Sequence, residues 1–171
     1  MRLIRCIDRY RMIVQKNYIL DERGFLMIIP VTKENEIIWA ELCAALWQGD
    51  TVESFIKWGI KNNYEGLYLY LIKDEAVACL WISLRHEYVG GTNSHEDSRP
   101  VGFLEGIYVK PEFRRQGIAR QLVEFAKKWA GEKGCTEFAS SCDIENDVSR
   151  KFHNNIGFTE AEIGISFVMN L

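Results

Sequence analysis

Several common signatures are missing from this chain. No apolar run approaches the ~20 residues that a membrane-spanning helix needs. The cysteines, Cys6, Cys43, Cys79, Cys135 and Cys142, are odd in number and include no Cys-x-x-Cys pair. They therefore read as neither a disulfide framework nor a zinc site, and no metal site is indicated. Most read as small buried apolar residues in a reducing compartment, which points to the cytoplasm. Positive charge is not in excess: the formal net charge is −3 and the pI is near 5.7, which argues against nucleic acid as the main partner. Repeats and low-complexity segments are absent as well. The first residues carry scattered cations, among them Arg2, Arg5, Arg9, Arg11, Lys16 and Arg23. They lack the apolar h-region and small-residue cleavage site of a secretory signal. What is present is 171 residues, 47% of them hydrophobic, enough for one full core and one α/β or α+β domain.

Residues 1–26 show no clean period and read as an N-terminal extension, with the domain proper, and an alternative start codon, at Met27; the domain covers 27–171. Met27 to Val31 looks like a first strand. Ile37, Ile38, Leu42, Ala45 and Leu46 then recur at helical spacing, with Gly49 ending the helix. Asp50-Thr-Val-Glu53 has capping-box form ahead of a second helix from Thr51 to about Lys61. Leu67–Ile72 and Ala76–Arg85 read as strands of a hairpin turning at Lys73-Asp74-Glu75. Val89–Pro100 is a polar loop. Val101–Val109 is a strand, and a helix from Gly117 to about Glu132 buries Ile118, Leu122, Phe125, Ala126 and Trp129, with Gly134 closing it. Cys135–Ser141 is a short strand parallel to the last, because a helix intervenes. Asn146 caps a helix from Asp147 to about Asn155, Gly157-Phe158 breaks it, and Ile163–Met169 closes the sheet.

The stretch between Val109 and Val123 organises the rest. A strand ends at Lys110-Pro111, a basic turn follows (Arg114-Arg-Gln-Gly-Ile-Ala119), and an amphipathic helix begins. Unpaired N–H groups at a helix N-terminus, together with the helix dipole, favour an anion such as a pyrophosphate. Gly117 removes a side chain where oxygens would approach the backbone, and Arg114, Arg115 and Arg120 supply charge. The plain alternative is an ordinary turn with a solvated basic edge.

Arg114-x-x-Gly117-x-Ala119 after a strand, with a later helix at Asn146 ending in Gly157-Phe158, resembles the GNAT acetyltransferases over about Met27 to Leu171. The resemblance implies a mixed, mostly antiparallel sheet with helices on both faces, and parallel strands splayed around an acetyl-coenzyme A site. A narrower resemblance rests on Leu46-Trp47, Glu87–Thr92, Pro100–Val109 and Thr136–Ser140. These runs are similar to those of aminoglycoside 6'-N-acetyltransferases, with Gly102-Phe-Leu-Glu-Gly-Ile-Tyr-Val109 the most specific. That resemblance implies acetyl transfer from acetyl-coenzyme A to an aminoglycoside, antibiotic resistance and a homodimer. It implies acceptor contacts at Trp47, Asp50, Tyr88, Glu105 and Glu162, and coenzyme contacts at Ile107, Tyr108, Val109, Arg115, Gln116, Gly117, Ile118, Ala119, Arg120 and Asn146. One departure stands out: Ser141 falls where the family usually has an acceptor-binding aspartate, with Asp143 and Glu145 close by. The loop 92–100 is a few residues long for the family, and its His95, Glu96 and Asp97 can lie over the substrate.

Acyl transfer to an amine needs a neutral amine, a polarised thioester carbonyl and a protonated leaving thiolate. Glu105 is out of pattern in an apolar strand, where alternation puts it on the face of Phe103 and Ile107; it is the candidate to take the amine proton. The bland reading points it to solvent. Gly106 beside it suggests a bulge that frees backbone N–H groups for the thioester oxygen. His153, four residues before Gly157, sits where many relatives have a tyrosine; it is the candidate acid, and equally a helical histidine without a catalytic part. Trp47 and Tyr88 suit stacking on sugar rings or ammonium groups, or else core packing. Two other functions stay open: the same transfer to a polyamine, peptide N-terminus or lysine, and a non-catalytic acetyl-coenzyme A-binding module.

Overall fold

The computed structural model describes residues 28–47, 49–86, 89–92, 99–164 and 169. The N-terminal extension, Tyr88, His95, Glu96, Asp97 and most of the expected closing strand lie outside the described residues. In chain order the elements are β1 (Ile28–Pro30), α1 (Glu36–Leu46), α2 (Val52–Lys61), β2 (Leu67–Ile72), β3 (Glu75–Arg85), β4 (Val101–Val109), a 3₁₀ turn (Pro111–Phe113), α3 (Ile118–Glu132), β5 (Phe138–Ser140) and α4 (Asp147–Ile156). The strands form one sheet in the order β1-β2-β3-β4-β5. The first three neighbouring pairs are antiparallel and β4-β5 is parallel, as the intervening helix requires. The mixed, mostly antiparallel sheet and the helices on both faces are as expected.

Two apolar clusters sandwich the sheet. On one face α3 presents Ile118, Leu122, Phe125, Ala126 and Trp129 to Tyr68, Tyr70, Leu80, Ile82 and Leu104. On the other, Trp39, Ala40, Leu42 and Cys43 of α1 and Phe55 of α2 cover Leu67, Leu69, Leu71 and Cys79. The run Leu67–Leu71 is apolar at every position because each residue is buried on one face or the other. The β2–β3 hairpin turns through Lys73 and Asp74, both at positive φ (48° and 68°), the conformation that matches the twist of its strands.

Several element ends lie a residue or more from where the local sequence signals put them. The capping box before α2 is Thr51/Ser54, one residue beyond the expected Asp50/Glu53 pair. The Thr51 hydroxyl accepts from the Ser54 N–H and the Ser54 hydroxyl accepts from the Thr51 N–H, each at 3.2 Å. Thr51 is the residue in extended backbone geometry (φ −105°, ψ 157°), so its side chain is the one that can reach back. Helix α1 stops at Leu46, short of Gly49, because Trp47 already takes an extended conformation. The strand expected over 135–141 pairs only over Phe138–Ser140.

Candidate active site

Strand β4 carries the central feature. Its register against β3 slips between Trp81↔Gly106 and Ile82↔Leu104, so Glu105 is an extra residue without a partner opposite. This is the expected β-bulge, and it changes the alternation. Leu104 and Ile107 both pack toward α3, while Gly106 meets Trp47 and Tyr108 packs with the α1/α2 cluster. The expectation that Glu105 shares a face with Ile107 therefore fails. Glu105 joins Ser83 and Arg85 on the α1/α2 side, and the inserted residue moves Ile107 to the opposite face.

Glu105 is half-buried and held. Its Oε1 accepts from the Ser83 hydroxyl at 2.6 Å and from Arg85 Nη2 and Nε at 3.0 and 3.3 Å. Its Oε2 accepts from Arg85 Nη2 at 2.9 Å. The Arg85 guanidinium in turn lies over the Phe103 ring, 3.4 Å from its centroid. Arg85 and Ser83 carried no pattern that singled them out; their signal was position, two residues apart on the strand facing Glu105.

Beside Glu105 stands an aromatic wall. Trp81 lies 4.2 Å from Trp58 and 5.6 Å from Trp47 between ring centroids, and Trp47 lies 5.6 Å from Phe55. A Cβ on Gly106 would come within 2.0 Å of the Trp47 ring, so glycine is what lets the indole lie against the bulge. Trp47 is thus both packed and half-exposed, which unites the two roles weighed for it. The Trp81 indole N–H is buried and has no hydrogen-bond partner among the described residues. Asp50 is exposed just beyond Trp47, its N–H donating to the Trp47 carbonyl at 3.4 Å. Glu162 is exposed and lies against Gly90, whose added Cβ would stand 2.7 Å from Oε2 of Glu162. That contact brings the segment after α4 onto the loop after β3. Ser141, Asp143 and Glu145 are exposed beyond β5.

The parallel strands part where the bulge begins. β4 and β5 pair through Gly102↔Phe138, Phe103↔Ala139 and Leu104↔Ser140, and β5 then ends while β4 continues to Val109. Past Leu104 no described strand pairs with β4 on that edge, so backbone groups of Ile107–Val109 that face it are open to a ligand. His153 of α4 lies beside this parting. Its Nδ1 donates to the Ser149 carbonyl at 2.8 Å, and its Nε2 lies 2.9 Å from the Ser140 hydroxyl. That hydroxyl is also 3.0 Å from the Leu104 carbonyl. The Ser140 hydroxyl has one hydrogen: a neutral ring can accept it as a hydrogen bond at Nε2, whereas a charged ring donates to the Ser140 oxygen, whose O–H is then donated to the Leu104 carbonyl.

The basic turn continues from the same strand. Arg114 Nε donates to the Val109 carbonyl at 2.9 Å, and its guanidinium lies 5.7 Å from the Tyr108 ring centroid. Arg115 (φ 65°) and Gly117 (φ 81°) are both left-handed, coiling the backbone ahead of α3. Nothing lies within 4 Å of a Cβ built on Gly117, so the backbone conformation demands glycine there and the space over it is open. The start of α3 has no side-chain cap and no acid in its first turn, whereas Thr51 and Asn146 cap α2 and α4. An uncapped N-terminus flanked by arginines fits an anionic group. Gln116 is exposed, with Nε2 donating to the Glu112 carbonyl at 3.3 Å, while Ile118 is buried in the core and Ala119 is half-buried. Two expected coenzyme contacts have structural duties as well. Arg120 donates to the Asn155 carbonyl at 3.0 Å, tying α3 to the end of α4, and Asn146 accepts from the Ser149 N–H at 3.0 Å. Among the described residues, no group of three or more His, Cys, Asp or Glu could hold a metal ion, and no helix is long and apolar enough to cross a membrane.

A bulged central strand, a parallel neighbour that diverges from it and an uncapped helix N-terminus at its end define an acyl-coenzyme A-dependent transferase architecture. The acetyltransferase (GNAT) family matches residues 15–158, and the chain belongs to that family. It is 35% identical over 147 residues to an aminoglycoside N(6')-acetyltransferase type 1 of Acinetobacter baumannii, covering 84% of this chain and 98% of that one. Among solved structures it resembles an aminoglycoside 6'-N-acetyltransferase from Acinetobacter haemolyticus, with TM-score 0.77, 37% identity and coverage of 84% and 98%. It also resembles a relative solved with the bisubstrate analogue CoA-S-monomethyl-acetylneamine, with TM-score 0.75, 34% identity and coverage of 84% and 97%.

Proposed function

We propose that this chain is an aminoglycoside 6'-N-acetyltransferase that uses acetyl-coenzyme A as co-substrate. The observation that carries the reading is Glu105, placed on a bulge between an aromatic wall and the parting of β4 and β5. The relatives that cover nearly their whole length with this chain carry the same activity in their names. Acetyl-coenzyme A, when bound, supplies the thioester acyl group. The N–H groups at the start of α3, with Arg114 and Arg115, hold its pyrophosphate. The open edge of Ile107–Val109 receives the thioester end, where a backbone N–H can polarise the carbonyl.

Glu105 attracts the 6'-ammonium and offers Oε2 to its hydrogens. Trp47 gives a flat apolar face for a sugar ring, and Asp50 and Glu162 add carboxylates at the rim; Tyr88 belongs to the same acceptor set. Ser141 leaves one carboxylate fewer, and Asp143 and Glu145, close by in the sequence and exposed, are the candidates to replace it. His153 with Ser140 forms the proton-bearing pair nearest the parted strands and is the source we assign for the thiolate proton. The chain acts as a homodimer in the cytoplasm, and the native mass in solution checks the former.

The direct test follows free-thiol release from acetyl-coenzyme A with tobramycin or kanamycin as acceptor. Turnover well above the no-acceptor blank is expected; blank-level rates across a panel of aminoglycosides would overturn the reading. For Glu105→Gln, turnover falls roughly tenfold or more, while calorimetric affinity for acetyl-coenzyme A stays near wild type. Unchanged turnover removes Glu105 from the mechanism.

A further inference from the structure

We propose that Arg85 is a positioning residue of the acceptor site: it clamps Glu105 so that a single oxygen, Oε2, serves the substrate ammonium. The inference rests on the acetyltransferase reading above. A carboxylate has about four lone-pair positions, two on each oxygen. Oε1 of Glu105 already faces three donor contacts, from Ser83 Oγ and from Nε and Nη2 of Arg85. Oε2 takes one, from Arg85 Nη2 at 2.9 Å, and keeps a position open. The fork of the guanidinium fixes the plane of the carboxylate, and a single ammonium donor would not.

Arg85 is itself held. Its Cζ stands 3.4 Å from the Phe103 ring centroid, and Phe103 is buried against Val89 and Val101. The side chains of Arg85 and Glu105 are 33% and 21% exposed, so the pair is partly shielded from water without being closed off in the core. Two consequences follow from one geometry. The carboxylate is oriented before the acceptor arrives, which favours turnover. A fixed cation also stands within the site of a polycationic substrate, which weakens its ground-state binding. Orientation and repulsion act on different kinetic constants, so they separate.

The experiment is a double-mutant cycle on the full chain, reading kcat and both KM values with tobramycin and acetyl-coenzyme A. The variants are Arg85→Gln, Glu105→Gln, the double variant, and Arg85→Lys as the charge-conserving control. Arg85→Gln should lower kcat about tenfold with acceptor KM unchanged or lower, and acetyl-coenzyme A KM within about twofold of wild type. In the Glu105→Gln background the same change should cost less than about twofold, because Arg85 then has no carboxylate to hold. Arg85→Lys should keep the acceptor KM and still lose kcat. The proposal is overturned by equal losses in both backgrounds, by a raised acceptor KM at constant kcat, or by full activity of Arg85→Lys. Should Arg85→Gln not fold, Ser83→Ala tests the other donor to Oε1, with the same expectation of a kcat loss absent from the Glu105→Gln background. Wild-type protein inert toward every aminoglycoside would instead refute the functional reading, a result distinct from an additive cycle in an active enzyme.

Discussion

Gly106 is the residue on which two requirements meet. It follows the bulged Glu105, and it leaves the space that the Trp47 ring occupies, 2.0 Å from where a Cβ would stand. The neighbouring Trp81 and Phe55 hold that indole in place, so it has little room to retreat. Gly106→Ala should therefore cost about 1–3 kcal/mol, the usual penalty for overpacking, read as a lower urea midpoint at unchanged slope. It should also raise the acceptor KM more than the acetyl-coenzyme A KM, because the displaced side chain belongs to the acceptor wall. A stability within a few tenths of wild type would mean that Trp47 swings away freely. The same residue explains why periodicity alone left the role of Trp47 open: its buried edge and its exposed face belong to one ring. Arg85 was hidden for a related reason. An arginine at the end of a strand looks like solvated surface until the opposing strand is known to insert a glutamate beside it.

At the level of elements, helix ends divide the labour. Thr51 and Asn146 close the starts of α2 and α4 with their own side chains; α1 and α3 begin without such a cap, but α1 has Glu36 in its first turn and α3 has no acid there. Gly117 is left-handed and nothing lies within 4 Å of where its Cβ would stand, so Gly117→Ala tests the backbone alone. It should cost about 1 kcal/mol of folding stability and weaken acetyl-coenzyme A in calorimetry, since the N–H groups of the turn would be re-aimed. Unchanged affinity would detach the turn from the coenzyme. A second link joins α1 to the turn after α2: the Tyr64 hydroxyl donates to Glu36 Oε2 at 2.5 Å. The Glu36 carboxylate accepting that bond, with its charge nearby, pushes the Tyr64 hydroxyl up to about 12. A raised pKa means the folded state keeps the proton longer than the unfolded one. The link's contribution is therefore complete below pH 10, the ordinary tyrosine value, and is lost as pH rises through 12. Tyr64→Phe should flatten the fall in stability across pH 10–12; an identical slope in the variant would show that other groups cause it. Element order, the β4 and α3 boundaries and the turn were legible because each has a local cause: a proline, a positive-φ glycine or an apolar period. The Thr51/Ser54 box, the short β5 and the reversed side of Ile107 were not, because backbone geometry and inter-strand register decide them.

For the molecule as a whole, the sheet is the partition between two cores, and the site lies where that partition opens. Cys43 of α1 and Cys79 of β3 report on one of those cores. Both are buried, with sulfurs 3.8 Å apart beneath the Trp39 layer, while Cys142 is exposed and Cys135 lies between these extremes. Burial drives the Cys43 thiol well above its ordinary range, and contact with Cys79 adds to this, so little thiolate is present while the fold is intact. Alkylation followed by peptide mass analysis should mark Cys142 first. Cys43 and Cys79 should be marked together, at the rate of global unfolding, because α1 and β3 share one packed cluster. Rates for that pair should rise with urea in parallel with the loss of tryptophan fluorescence, since Trp39, Trp47, Trp58 and Trp81 surround or adjoin the same cluster. Early marking of Cys43 with fluorescence still native would instead show α1 lifting from the sheet by itself. That motion would carry Trp47 off Gly106 and open the acceptor wall without disturbing the α3 core behind the coenzyme turn, so the labelling order also tests whether the two halves of the site are energetically one unit.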